Sequence, residues 1–201
     1  VGTPPVAGSV IFPIDPAAYQ ASSPYGWRIR PRDNPASWRY HHGQDMMAAL
    51  DTPVRAVADG MVVAVARSGT KQFDGYGNCV VIKHNAPYKG KTVFSVYAHL
   101  HTIAEPILAS SNNPQKIFEV PNSVSKELLK AGRMISFPIT KGTVIGGVGK
   151  TNSKDDKDVQ TDWGSNVGVH LHFEIIKGYP SKTTQTGVPP PVFLTGKEKL
   201  P

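Results

Sequence analysis

Residues 169–177 read VHLHFEIIK, and Gly178 follows. Successive side chains of a β-strand point to opposite faces of its sheet. Over this stretch His170, His172 and Glu174 therefore share one face, and Leu171, Phe173 and Ile175 share the other. The second set is core material. The first sets two imidazoles about 6.5 Å apart along one face. That spacing suits one metal ligand and one neighbour beside the metal's reactive position, so both imidazoles need not be ligands.

Working outward, other short β-branched runs lie between glycine-containing turns. Residues 61–66 read MVVAVA after Asp59-Gly60. Residues 78–83 read NCVVIK after Tyr76-Gly77. Residues 92–98 read TVFSVYA after Lys89-Gly90, and residues 143–145 lie between Gly142 and Gly146. This pattern predicts a mainly β protein: a single compact domain with an antiparallel β-sheet core and long groove loops. The 19 glycines and 18 prolines, without a period, fit many turns and exclude a long-helix bundle or collagen. One amphipathic helix is expected near residues 123–131, with Asn122 or Ser123 as its cap. Residues 1–22 read as an irregular lead-in or linker in which only Val10–Ile14 is suited to packing, 23–180 as the domain, and 181–201 as a C-terminal extension. Two stretches, about 103–135 and 150–165, read as insertions that rim a cleft.

With 39% hydrophobic and 18% charged residues, the 201-residue chain has material for a real core and too little charge for a disordered one. The net charge of +7 favours an anionic surface or polymer as partner, such as an acidic cell wall. No dense Lys/Arg stripe is interleaved with stacking aromatics, so nucleic acid is not expected. The single Cys79 excludes an intrachain disulfide, and its place in an apolar strand marks it as buried. No apolar run approaches the roughly 18–20 residues of a transmembrane helix. The chain opens at Val1 without a signal-like segment, which reads as a processed product or a piece of a longer polypeptide.

Three of the histidine clusters carry the chemistry. His41 and Asp45 would lie about 13 Å apart on a straight strand, too far to share a metal with bonds near 2 Å. Gly43 between them offers a place to bend. With His172 the pair makes two imidazoles and one carboxylate, the pattern of a catalytic zinc with one position open. His42 competes with His41 for the ligand role or supports it by a hydrogen bond. His99 closes the 92–98 strand, and alternation puts it on the face of Ser95 and Tyr97. An attacking water needs a proton acceptor and the carbonyl oxygen needs a donor. His99 and His170 are the candidates, with the two tasks not divided between them. His84 and His101 read as hydrogen-bonded structural residues, and Glu174 as support for a ligand or a solvent-facing group. There is no His-Glu-x-x-His helix, which excludes that class of metalloprotease. Residues 146–150, GGVGK, lack the phosphate-loop spacing and read as a tight turn. Ser9, Ser22 and Ser23 sit in no Ser-His-Asp arrangement.

HHGQD at 41–45, YAHL at 97–100 and HLHFE at 170–174, in this order, resemble the lysostaphin-type (LytM-type) zinc peptidoglycan endopeptidases. SPYGWRIRP at 23–31, TPVRAVADGMVV at 52–63, YGNCVVIKH at 76–84 and KGTVIGGVGKTN at 141–152 resemble the same family's framework. The resemblance covers roughly residues 23–178. It implies the lysostaphin-type fold, one Zn2+ per chain on His41, Asp45 and His172, and His99 and His170 as the catalytic pair. It implies hydrolysis of peptide cross-links in bacterial peptidoglycan by a zinc-activated water. The runner-up is a catalytically inactive wall-binding or hydrolase-activating module. The expected place is extracytoplasmic, in periplasm or cell wall, for a bacterial protein. For a phage-encoded one, within a larger lysin or virion assembly, it is the virion or the host wall. The stretches 103–135 and 150–165 are longer than is usual for the family, and Met46-Met47 replaces its more typical small or β-branched residues.

Overall fold

The computed structural model describes residues 10–30, 37–66, 76–111, 132–151, 168–177 and 187–195. A 3-10 turn at Pro16–Ala18, capped by the Asp15 carboxylate on the Ala17 N–H, leads into β1 (Tyr19–Ala21). The strands β2 (Gly26–Arg30) and β3 (Ser37–His41) form a two-stranded sheet of their own. Next come β4 (Gln44–Ala48), β5 (Pro53–Arg55), β6 (Gly60–Ala66), β7 (Cys79–His84) and β8 (Val93–Ala98). After β9 (Thr102–Ile103) lies the helix α1 (Glu105–Ser111). The remaining elements are β10 (Gly132–Ile139), β11 (Val144–Gly147), β12 (His170–Lys177), β13 (Gly187–Val188) and the helix α2 (Pro190–Thr195).

The stretch 170–177 is the centre of the molecule. The main sheet runs β1-β4-β12-β8-β7-β6-β10, with β13 also paired to β12, and every pairing is antiparallel. This is the mainly β, antiparallel architecture that the sequence predicts. A smaller sheet, β5-β11-β9, lies off this path.

The alternation in β12 divides its surroundings as expected. Leu171, Phe173 and Ile175 are fully buried in a cluster with Met46, Val80, Ile82 and Tyr97 from the neighbouring strands. Val54, Ile103 and Ile145 of the smaller sheet, Ile107 of α1, and Phe193 and Leu194 of α2 close this cluster. Full burial of one such side chain contributes about 1.5–3 kcal/mol, so the cluster is the main source of stability. On the opposite face, Ile176 joins Phe94, Val96, Ala98, Val81 and Cys79. There β12 continues into His172 and Glu174, the polar end of an otherwise apolar face.

Several expectations change in detail. Within the expected lead-in, Ile14 is fully buried, the Ile11 N–H donates to Val57 O, and β1 pairs with β4 at the sheet edge. Residues 132–135, read as the end of an insertion, begin β10, which pairs along β6 as the opposite edge strand. The helix expected near 123–131 and most of the 150–165 stretch lie outside the described residues. Among the described residues no helix is long and apolar enough to cross a membrane.

Candidate metal centre

Residues directly opposite in an antiparallel pair share a face. His172 stands opposite Asp45 on β4 and opposite Ala98 on β8. Asp45 Oδ1 reaches the His172 ring from the β4 side. His41 arrives from the hairpin sheet, where it pairs with Gly26 at the end of β3. The chain then crosses from that sheet to the main one at His42-Gly43. His41 and Asp45 thus belong to two different strands, and His41 Nε2 lies 3.2 Å from Asp45 Oδ1.

Gly43 lies at the bend between the two sheets, as expected, and has a second role there. A Cβ there would stand 2.7 Å from Cε1 and Nε2 of His172 and from the Phe173 carbonyl oxygen. The residue is glycine because the backbone packs directly on the His172 ring.

Three ligand atoms converge. His172 Nδ1 lies 3.0 Å from His41 Nε2 and 2.9 Å from Asp45 Oδ1. The spacing and donors of this cluster fit a cation. Ligands of a tetrahedral zinc with bonds near 2.0–2.1 Å stand about 3.3 Å apart. Each imidazole is also oriented from behind. His41 Nδ1 donates to the Pro24 carbonyl at 2.9 Å, which leaves Nε2 for a metal. His172 Nε2 bonds Glu174 Oε1 at 2.8 Å, which leaves Nδ1. Such outer partners are what a metal site requires of its histidines. Among the described residues, His41, Asp45 and His172 are the group of histidine, cysteine and acidic side chains close enough to hold a metal ion.

His99 and His170 flank this cluster. Their ring centroids are 4.8 Å apart, and the His99 ring is 5.8 Å from that of His172. His170 Nε2 lies 3.8 Å from Asp45 Oδ1. His170 Nδ1 donates to Gly168 O at 2.8 Å, and His99 Nδ1 donates to Thr151 O at 2.9 Å. In both rings Nε2 therefore keeps its lone pair when the ring is neutral.

His99 reaches this place against the alternation of its strand. On β8 the metal-side face carries Phe94, Val96 and Ala98, opposite Ile176, Glu174 and His172. Ser95 and Tyr97, the expected face-mates of His99, point the other way, into the core. His99 lies one residue past the strand with φ +61°. This left-handed backbone, unusual for a non-glycine residue, turns the side chain back over the site. Strain of this kind persists where surrounding bonds hold it. Here the His99 N–H donates to Tyr76 O at 2.8 Å.

The charges follow from burial and neighbours. Burial opposes ionisation of Asp45, but hydrogen bonds from His172 and His41 outweigh it and hold the carboxyl well below its usual range. Burial likewise pushes the His172 imidazolium down, but its bonds to Asp45 and Glu174 lift it to about 9. Two carboxylates thus favour positive charge between them. Glu174 is held low, its burial overcome first by the bond to His172. Burial, then repulsion from His170 and His172, drops His99 to about 3. Burial also lowers His170, against the pull of Asp45. Both flanking imidazoles are neutral near pH 7.

The other histidines stand apart. His42 is exposed and packs its ring on Tyr40 at 5.1 Å, and is not part of the converging His41/Asp45/His172 group. His84 Nε2 bonds Ser95 Oγ on the core face, and His101 Nδ1 bonds Asp51 Oδ1. The GGVGK stretch is not the tight turn expected: Gly146 and Gly147 end β11, paired with β5 and β9, and Gly149 bridges to His170. Cys79 is buried. Sequence reasoning missed Tyr76, Thr151 and the carbonyls of Pro24 and Gly168. The last three act through backbone oxygens, which no residue type announces.

Residues 39–112 match the model of Peptidase family M23. The chain is 32% identical over 182 residues to DD-carboxypeptidase/endopeptidase Mpg of Neisseria meningitidis, covering 90% of this chain and 30% of that one. It is 28% identical over 190 residues to peptidoglycan DD-endopeptidase ShyA of Vibrio cholerae, covering 93% and 32%. The fold is similar to that of a zinc-containing peptidase from Vibrio cholerae, with a TM-score of 0.52 and 22% identity over 96% of this chain and 41% of that one. The sheet, the His-Asp-His cluster and these matches place the domain in peptidase family M23, the lysostaphin-type group. It spans about a third of the length of the curated relatives it matches.

Proposed function

We propose that the domain is a zinc-dependent endopeptidase that cleaves peptide bonds in bacterial peptidoglycan. One observation carries the reading. A His41/Asp45/His172 cluster of ligand spacing lies beneath two neutral imidazoles, His99 and His170, whose Nδ1 atoms are tied to carbonyls. His41, Asp45 and His172 would hold one zinc ion. When bound, zinc would supply Lewis-acid polarisation of the scissile carbonyl and a more acidic water.

The chain's own groups do the rest. His99 or His170 takes the proton of the attacking water at Nε2 as the oxygen–carbon bond forms. An imidazole protonated there becomes a donor, either to the carbonyl oxygen as it gains charge or to the leaving nitrogen. As the carbon–nitrogen bond breaks, that proton passes to the amine, which restores both rings to neutrality. Held backbone bonds keep each ring aimed throughout.

Membership of family M23 and this complete set of five side chains favour an enzyme over an inactive wall-binding module. The Neisseria and Vibrio relatives carry names for cleavage of D,D bonds. We extend that to a D-amino-acid cross-link as the bond cut here, with peptidoglycan peptides as the substrate and an extracytoplasmic place of action. The net charge of +7 supports approach to an anionic wall polymer.

Purified peptidoglycan of several chemotypes, digested and analysed by mass spectrometry with a chelator control, tests the proposal. New peptide termini that vanish on zinc removal are expected. Cross-links left intact by zinc-loaded protein would instead support the binding-module reading.

A further inference from the structure

Tyr76 lies outside the clusters that the ligands and catalytic histidines define, yet its two polar ends reach both. The hydroxyl donates to Glu174 Oε1 at 2.7 Å, and that same oxygen accepts the 2.8 Å bond from His172 Nε2. The ring stands edge-on to the His172 ring, with centroids 5.8 Å apart and planes at 85°. At the other end of the residue, the Tyr76 carbonyl accepts the His99 N–H at 2.8 Å.

The two residues after Tyr76 lock this arrangement. Gly77 has φ +61° and packs on Thr151 so closely that a Cβ would stand 2.3 Å from the Thr151 carbonyl oxygen. That carbonyl is the one that orients His99 Nδ1. Asn78 N–H donates to Thr151 Oγ1, and Thr151 Oγ1 donates to Leu100 O. Asn78 Nδ2 donates to the carbonyls of Leu100 and His101. The backbone that aims His99 and the side chain that aims His172 therefore leave from a single residue.

We infer that Tyr76 is a positioning residue for the metal centre: its hydroxyl fixes Glu174, and Glu174 fixes the ring and Nδ1 lone pair of the ligand His172. This rests on the reading that His41, Asp45 and His172 hold zinc. An exposed glutamate in place of the buried one would be satisfied by water. Glu174 is 4% exposed, so Tyr76 is what limits the carboxylate to one orientation. The hydroxyl holds Oε1 against Nε2.

The test is the zinc dissociation constant, measured by competition with a chromogenic chelator for wild type, Tyr76→Phe, Glu174→Gln and the double variant. Thermal melting of each metal-free protein runs alongside. Outer-partner changes typically weaken metal binding by about 10–100-fold. Tyr76→Phe is expected to weaken zinc binding by roughly tenfold, and Glu174→Gln by at least as much. The double variant should bind no more weakly than the weaker single one, because both act through one path. A Tyr76→Phe protein that melts lower but binds zinc as tightly as wild type would overturn the inference and leave Tyr76 a packing residue. Should Glu174→Gln not fold, Tyr76→Phe alone decides. Failure of the wild type to bind zinc would overturn the metal reading and this inference with it, and would be plain from the first titration.

Discussion

His172 and Asp45 face each other across the β12–β4 ladder, with Nδ1 and Oδ1 2.9 Å apart. The register of two backbone strands thus sets the distance between two ligand atoms. Asp45→Ala removes the carboxylate of the cluster and leaves His172 between Glu174 and His41. The expected outcome for either Asp45→Ala or His172→Ala is protein with far less than one zinc per chain by elemental analysis, and no peptidoglycan cleavage.

His99 and His170 give the opposite signature. Neither is needed to complete the ligand cluster, so His99→Ala and His170→Ala should retain zinc at wild-type stoichiometry. Loss of a general acid–base group costs about 10²–10⁴-fold in turnover. Full turnover in either variant would remove that histidine from the mechanism.

Thr151 tests whether aim matters as much as identity. Its hydroxyl ties Asn78 to Leu100, and its carbonyl orients His99. Thr151→Val lets that carbonyl drift, and small misplacements of a reacting group are costly. We expect kcat to fall roughly tenfold with zinc content unchanged. Thr151→Ser, which keeps the hydroxyl, should recover most of the loss.

Gly43→Ala probes the contact on which His172 rests. The new methyl would meet the imidazole and the Phe173 carbonyl at 2.7 Å, and backbone cannot yield cheaply. Forced overpacking costs about 1–3 kcal/mol. Both a lower melting temperature and weakened zinc binding are expected. An unchanged pair of values would mean that β4 and β12 separate more easily than their ladder suggests.

His84 lies on the other face of the sheet, bonded to Ser95 and stacked on Phe193 of α2. Burial lowers its pKa from 6.5 to about 4. Above pH 6.5 both folded and unfolded chains hold it neutral, and its environment costs nothing. Below that, the unfolded chain takes a proton that the folded one refuses. Its contribution to stability is lost by about 1.4 kcal/mol per pH unit down to about pH 4. Denaturant unfolding between pH 7 and 4 should show a shallower acid loss for His84→Phe than for wild type. Parallel curves would show that the histidine titrates normally.

The strand at 170–177 was legible from its alternation alone, because a half-buried strand writes its two faces into the sequence with period two. The ligand types at 41, 45 and 172 were legible too, since imidazole and carboxylate in so few positions point to a hard-to-avoid chemistry. His99 was recognised by its motif, but its direction was not. Alternation assigns it to the face of Tyr97, and a left-handed φ at the strand end reverses that. Tyr76 gave no sign of its place, because its partner Glu174 lies 98 residues away and is brought to it only across the sheet.

By itself, then, the amino-acid order determined which residues prefer to be strand, which faces are apolar, and which side chains are able to bind a metal or carry a proton. These are local properties of backbone sterics, burial and donor type. Only the tertiary structure decided that the chain leaves one sheet for another at His42-Gly43, that Asp45 and His172 fall in register, and which carbonyls orient each ring. Those outcomes depend on contacts between distant segments.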